Sequence, residues 1–104
     1  MDRRLFYEIL RNRIVILDGA TGTELQKRGM PQGACPEEWI LENPDSIIEI
    51  QRAYKEAGSL IVYAPTFGAN RWKLRSFHLE DRVKEINLNL VQRSREAVGK
   101  DVWI

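Results

Sequence analysis

A chain of 104 residues, 43% apolar and 30% charged, has the size of one domain that buries roughly 60 to 65% of its unfolded surface, which speaks against two independent domains. Sixteen Lys and Arg against fifteen Asp and Glu leave a formal charge of +1, which gives no electrostatic case for a nucleic-acid backbone or an anionic membrane, and no apolar run nears the ~18 residues of a membrane span. A single cysteine, Cys35, and a single histidine, His78, exclude an intrachain disulfide and a four-ligand Cys/His zinc site.

Taken in chain order, Leu5, Phe6, Ile9 and Leu10 fall at helical spacing, so residues from about 3 to 11 read as a short amphipathic helix capping the end of a core. The same stretch mixes Asp2, Arg3, Arg4 and Glu8 and lacks the apolar centre of a signal peptide, so the expected setting is cytoplasmic. Ile14-Val15-Ile16-Leu17 reads as a strand buried on both faces. Residues 23–28 look weakly helical before Gly29, and Met30 to Cys35 read as loop. Glu37 and Glu38, after Pro36, read as the acidic first turn of a short helix through Leu41, a structural rather than a functional pair.

Asn43-Pro44-Asp45 is a helix start, with Asn43 as cap and Pro44 at the first helical position; Ile47, Ile50, Tyr54 and Ala57 trace one face and Gly58 stops it. Leu60 to Ala64 reads as a second buried strand. A basic segment, Arg71 to His78, precedes a long helix from about Asp81 to Val98 closed by Gly99, and Val102-Trp103-Ile104 begins a third strand. Apolar strands without alternation, separated by helices, give an α/β class with consecutive βα units in a parallel sheet. Three such strands cannot close a barrel, so the chain reads as the first third of a larger fold, an incomplete domain over 1–104.

In parallel α/β folds the working groups follow the C-terminal ends of strands. Asp18-Gly19-Ala20-Thr21 puts a carboxylate there, then small residues whose N–H groups a ligand can approach. Such a turn suits an amino acid, with Asp18 on the ammonium and the N–H groups of Gly19 to Thr21 on the carboxylate; the plainer alternative is a turn with capping hydroxyls. The spacing fits neither a Walker loop nor a dinucleotide fingerprint. At the second strand end, Thr66 and Phe67 either line a substrate or plug the core, with Asn70 capping the next helix. Trp72 and Arg75 read as a half-buried helix face rather than an RNA platform. Cys35 and His78 read as structural.

Ile16-Leu17-Asp18-Gly19-Ala20-Thr21-Gly22-Thr23-Glu24-Leu25, Gly33-Ala34-Cys35-Pro36-Glu37-Glu38, Asn43-Pro44-Asp45 and Thr66-Phe67-Gly68-Ala69-Asn70-Arg71, in this order, closely resemble the start of the homocysteine S-methyltransferase family, most of all its cobalamin-dependent, methionine-forming branch. The resemblance runs from about Arg13 to Ile104. It implies a (β/α)8 TIM-type barrel that transfers a methyl group to the homocysteine sulfur; methylcobalamin, betaine and S-methylmethionine are the donors of its different branches, and the motif similarity favours methylcobalamin. It implies that Asp18 receives the amino group of homocysteine, that Gly19, Ala20 and Thr21 lie near its carboxylate, and that Thr66 and Phe67 line the same mouth. It further implies a zinc ion, held by three cysteines of later strands, that lowers the substrate thiol pKa from about 8.5. Those cysteines are absent, Cys35 matches no ligand position, and this chain contributes neither metal ligands nor catalytic residues. The expected partners are homocysteine and the remainder of the barrel or further domains.

Two readings from other classes stand beside this one. The chain could be a non-catalytic binding or assembly module that pairs through open sheet edges, or a degenerate fragment with no function.

Overall fold

The computed structural model describes residues 2–104. Six α-helices follow one another: α1 (Arg3–Asn12), α2 (Gly22–Lys27), α3 (Pro36–Glu42), α4 (Pro44–Glu56), α5 (Arg71–Arg75) and α6 (Val83–Val98), with a 3₁₀ turn, Glu80–Arg82, before α6. The main packing pair is α4 against α6. Ile47 and Ile50 from α4 meet Ile86 and Leu90 from α6 in a core that also holds Leu25, Ile40, Leu74 and Leu79. Each such side chain, withdrawn from water, contributes about 1.5–3 kcal/mol. A smaller cluster gathers Val62, Ala97, Val98 and Val102.

The helix boundaries show which local signals were right. Pro44 opens α4 with Asp45 in its first turn, and Gly58, at φ +110°, ends it in a left-handed conformation that suits glycine. Asn43 occupies the cap position, but its side chain turns back to the preceding helix, where Nδ2 donates to the Trp39 carbonyl at 3.0 Å. Its carbonyl accepts from the Ser46 hydroxyl at 2.6 Å, and the expected side-chain cap is not formed. The long helix starts at Val83 rather than near Asp81, because a 3₁₀ turn takes up its first residues. In α5 it is Leu74 that is buried, whereas Trp72 is 80% exposed; the half-buried face expected of Trp72 is not formed.

The expected α/β class, the first third of a TIM-type barrel, is overturned: among the described residues the chain is helical, and no segment forms a strand. The three apolar runs do lie side by side and parallel, but each contact is a single isolated bridge, Leu17 to Ile61 and Ile61 to Trp103. Four backbone bonds hold them, from Asp18 N to Ile61 O, Leu60 N to Ile16 O, Val62 N to Trp103 O and Trp103 N to Leu60 O, at 2.8–3.0 Å. Burial explains why pairing stops there. Parallel ladders persist where both faces are covered, yet Ile14 is 87% exposed, Ile16 56% and Tyr63 69%. Only Val62 and Val102, on the side of the small cluster, are fully withdrawn.

The N-terminal helix also covers less than expected. Asp2 caps it by accepting from Arg4 N at 2.9 Å, but no residue of α1 is buried. Phe6 reaches the Trp103 ring, centroid to centroid 5.3 Å. The radius of gyration, 14.7 Å, exceeds the ~13 Å of a compact domain of this length, as an incompletely covered core requires.

Candidate functional site

The bridge between Leu17 and Ile61 ends at Asp18, and this fixes the first candidate turn. One Asp18 carboxyl oxygen, Oδ2, accepts from Tyr63 N at 3.2 Å, so the side chain lies across the gap to the second apolar segment. Asp18 is partly buried, and that burial raises its pKa, opposed by hydrogen bonds from the N–H groups of Tyr63 and of Asp18 itself. Gly19 and Ala20 are exposed. Tyr54, from α4, donates its hydroxyl to the Ala20 carbonyl at 2.7 Å. A Cβ added at Gly19 would stand 3.0 Å from that hydroxyl, so the close approach of the tyrosine is what calls for glycine.

Thr21 leads into α2 with its carbonyl, which accepts from Leu25 N at 2.9 Å, and its side chain makes no capping bond. Among the described residues, the backbone N–H groups of Gly19, Ala20 and Thr21 donate to no protein acceptor. Three consecutive free donors beside a half-buried carboxyl make an amphoteric surface, able to take an anion on the backbone and a cation on Asp18.

The second candidate turn, 64–70, is tied on several sides. Thr66 N donates to Ala64 O at 2.7 Å and Ala69 N to Thr66 O at 3.0 Å. Asn70 caps α5 through Oδ1, which accepts from Lys73 N at 2.9 Å, as the sequence suggested. Asn87, from α6, donates to the Ala69 carbonyl at 2.7 Å. Phe67 does not plug the core: it is 89% exposed, with Lys73 Nζ 5.1 Å from its ring centroid. It lines a hollow of about 210 Å³ with Cys35, Glu37, Gly68, Lys73 and Phe77. The tie between the two turns is the Asp18–Tyr63 bond, three residues before Thr66.

Glu37, in the acidic first turn of α3 as the sequence suggests, is only 6% exposed. Its Oε1 accepts from Gly68 N at 2.9 Å, and its Oε2 accepts from the Cys35 thiol at 3.5 Å. The signal that could have found it is helical phase: Glu37 and Ile40 stand three apart and share a face, and Ile40 is a core residue. Cys35, in the loop that leads into α3, is buried. Burial raises its pKa, the backbone N–H of Glu38 opposes, and the Glu37 side chain adds to the rise, so it is no ready nucleophile. His78 is exposed, in a left-handed conformation at φ +58°.

The residues here do not fit a zinc ion. Among the described residues no three His, Cys, Asp or Glu side chains gather where they could hold a metal, and the one thiol is committed to Glu37. Nor is any described helix long and apolar enough to cross a membrane.

Both turns lie within a longer stretch of likeness to known proteins. Residues 15–104 match the family model for homocysteine S-methyltransferase. The chain is 33% identical over 88 residues to methionine synthases of Mycobacterium tuberculosis and Mycobacterium leprae, covering 77% of this chain and 7% of each relative. It is 26% identical over 99 residues to an S-methylmethionine–homocysteine S-methyltransferase of Pongo abelii, covering 94% of this chain and 26% of that protein. The chain thus spans a small part of the length of these relatives. With a family match that runs from the first apolar segment, through Asp18 and Thr66, to Ile104, the chain belongs to the homocysteine S-methyltransferase family.

Proposed function

We propose that, within its intact protein, this chain supplies part of the surface that binds homocysteine while a methyl group is transferred to the substrate sulfur, giving methionine. The observation that carries this reading is the Asp18 turn. One carboxyl oxygen is taken by Tyr63 N, which leaves the other to accept from the substrate ammonium. The unpaired N–H groups of Gly19, Ala20 and Thr21 are the complementary donors for the substrate carboxylate. An ammonium beside Asp18 would also offset the burial that raises its pKa. Thr66, in the tied turn beyond Tyr63, offers a hydroxyl to the same substrate, and exposed Phe67 offers an aromatic wall.

Zinc and methylcobalamin enter this reading as groups held by other parts of the intact protein, since the donor set of this chain fits no metal site. The work of its own residues is to bind and orient the amino-acid end of the substrate. A calorimetric titration of the intact protein with homocysteine tests it. Asp18→Asn keeps an acceptor for Tyr63 N and removes the charge, so affinity is expected to fall about ten- to hundredfold, the effect of losing a hydrogen bond to a charged group. An unchanged affinity would overturn the assignment.

A second reading, a non-catalytic module that assembles through its apolar segments, is favoured by the exposure of Ile14 and Tyr63 and by backbone edges bridged on one side only. Its test is self-association of the chain.

A further inference from the structure

We propose that Glu37 is a positioning residue for the substrate-facing turn at Thr66 and Phe67, acting through its hydrogen bond to the backbone N–H of Gly68. This rests on the reading of that turn as part of the homocysteine surface.

Glu37 is buried at 6% exposure, and among the described residues no ion pair includes it. A buried carboxyl without a cation is a poor contributor to stability, because its desolvation is not offset by charge pairing. Its position is nevertheless tightly specified. Oε1 accepts from Gly68 N at 2.9 Å and Oε2 from the Cys35 thiol at 3.5 Å. Gly68 fits this contact closely: a Cβ there would collide with Glu37 Oε1. The glycine is required by the carboxyl rather than by a left-handed backbone, since Gly68 is not among the positive-φ glycines.

The turn that Glu37 grips carries the residues at issue. Gly68 follows Phe67 directly, and Ala69 N closes the turn onto the Thr66 carbonyl at 3.0 Å. From the opposite side, Asn87 Nδ2 donates to the Ala69 carbonyl at 2.7 Å. Glu37 from α3 and Asn87 from α6 therefore hold the peptides on either side of the Gly68–Ala69 bond, one as acceptor and one as donor, and set the direction in which Thr66 and Phe67 face.

The test compares Glu37→Gln and Glu37→Met in the intact protein, with Asp18→Asn alongside. Gln keeps an oxygen acceptor for Gly68 N; Met has similar length, fills the space and offers no comparable acceptor. The expected result is a homocysteine KM raised about tenfold or more in Glu37→Met and held within about threefold in Glu37→Gln, as loss and retention of one buried hydrogen bond require. Faster amide exchange at Gly68 should accompany the Met substitution. A Met variant that loses thermal stability while its KM stays at the wild-type value overturns the proposal, because Glu37 then only supports the fold. Equal weakening by Gln and Met also overturns it, because the carboxyl charge rather than the acceptor would be at work. If Asp18→Asn weakens binding and Glu37→Met does not, the Glu37 role alone fails. If Glu37→Met weakens binding and Asp18→Asn does not, Glu37 stands and the Asp18 assignment falls; if neither does, both are overturned.

Discussion

The Tyr54 hydroxyl and the Ala20 carbonyl, 34 positions apart, meet at 2.7 Å, so α4 holds the turn after Asp18 from the side. This is a hydrogen bond at an exposed position, and its net worth is about 0.5–1 kcal/mol. Tyr54→Phe keeps the ring against Gly19 and removes only the donor. The expected loss is about 2–8 °C in Tm for a domain of this size, with homocysteine affinity in the intact protein falling together with it. A Phe variant that melts and binds as the wild type would show that the turn holds its shape without the tyrosine.

The helices were largely legible because their signals are local. Pro44, Gly58 and Gly99 mark their ends whatever surrounds them, and Ile47, Ile50, Ile86 and Leu90 repeat at helical spacing. The apolar runs were misread as buried strands because strand formation depends on what lies on each face. Nothing in Ile14-Val15-Ile16-Leu17 records that Ile14 would stand 87% exposed. Asp18 could be picked out by its place after an apolar run. Glu37 was missed because two adjacent glutamates after a proline were given one role. A helix turns about 100° per residue, so Glu38 is only partly buried while Glu37 is fully withdrawn.

Asp18 should make stability depend on pH in the sense opposite to a salt-bridged carboxylate. Its folded pKa lies above the ordinary value of 3.8, with burial the largest cause. The native state therefore binds this proton more tightly than the unfolded chain. The favourable contribution is fully present below the unfolded value and is lost as pH rises through the folded one. Asp18→Asn is neutral throughout and retains an acceptor for Tyr63 N. Its Tm relative to wild type should therefore be higher at pH 7 than at pH 3, while its homocysteine affinity is lower. Melting curves at the two pH values check this; a variant that loses more stability at pH 7 than at pH 3 would mean that the ionised carboxylate is favoured in the fold.

The exposed apolar segments lead to a prediction about the chain's behaviour in solution. Ile14, Ile16, Leu17 and Tyr63 are 87%, 56%, 45% and 69% exposed; the first three lie on an edge segment bridged on one side only, and Tyr63 lies on the central segment beside it. Covering four such side chains is worth about 1.5–3 kcal/mol each, of the same order as the ~4–15 kcal/mol that association costs in lost freedom. The balance favours weak, concentration-dependent self-association rather than a tight dimer. On size-exclusion chromatography over a concentration series, the 104-residue chain should elute earlier as concentration rises. Ile14→Lys combined with Tyr63→Lys should return it to a monomer with unchanged helical circular dichroism, since neither residue belongs to the core and like charges repel across the new contact. A wild-type chain that stays monomeric at every concentration would remove the assembly reading and leave the homocysteine surface as the function of these segments.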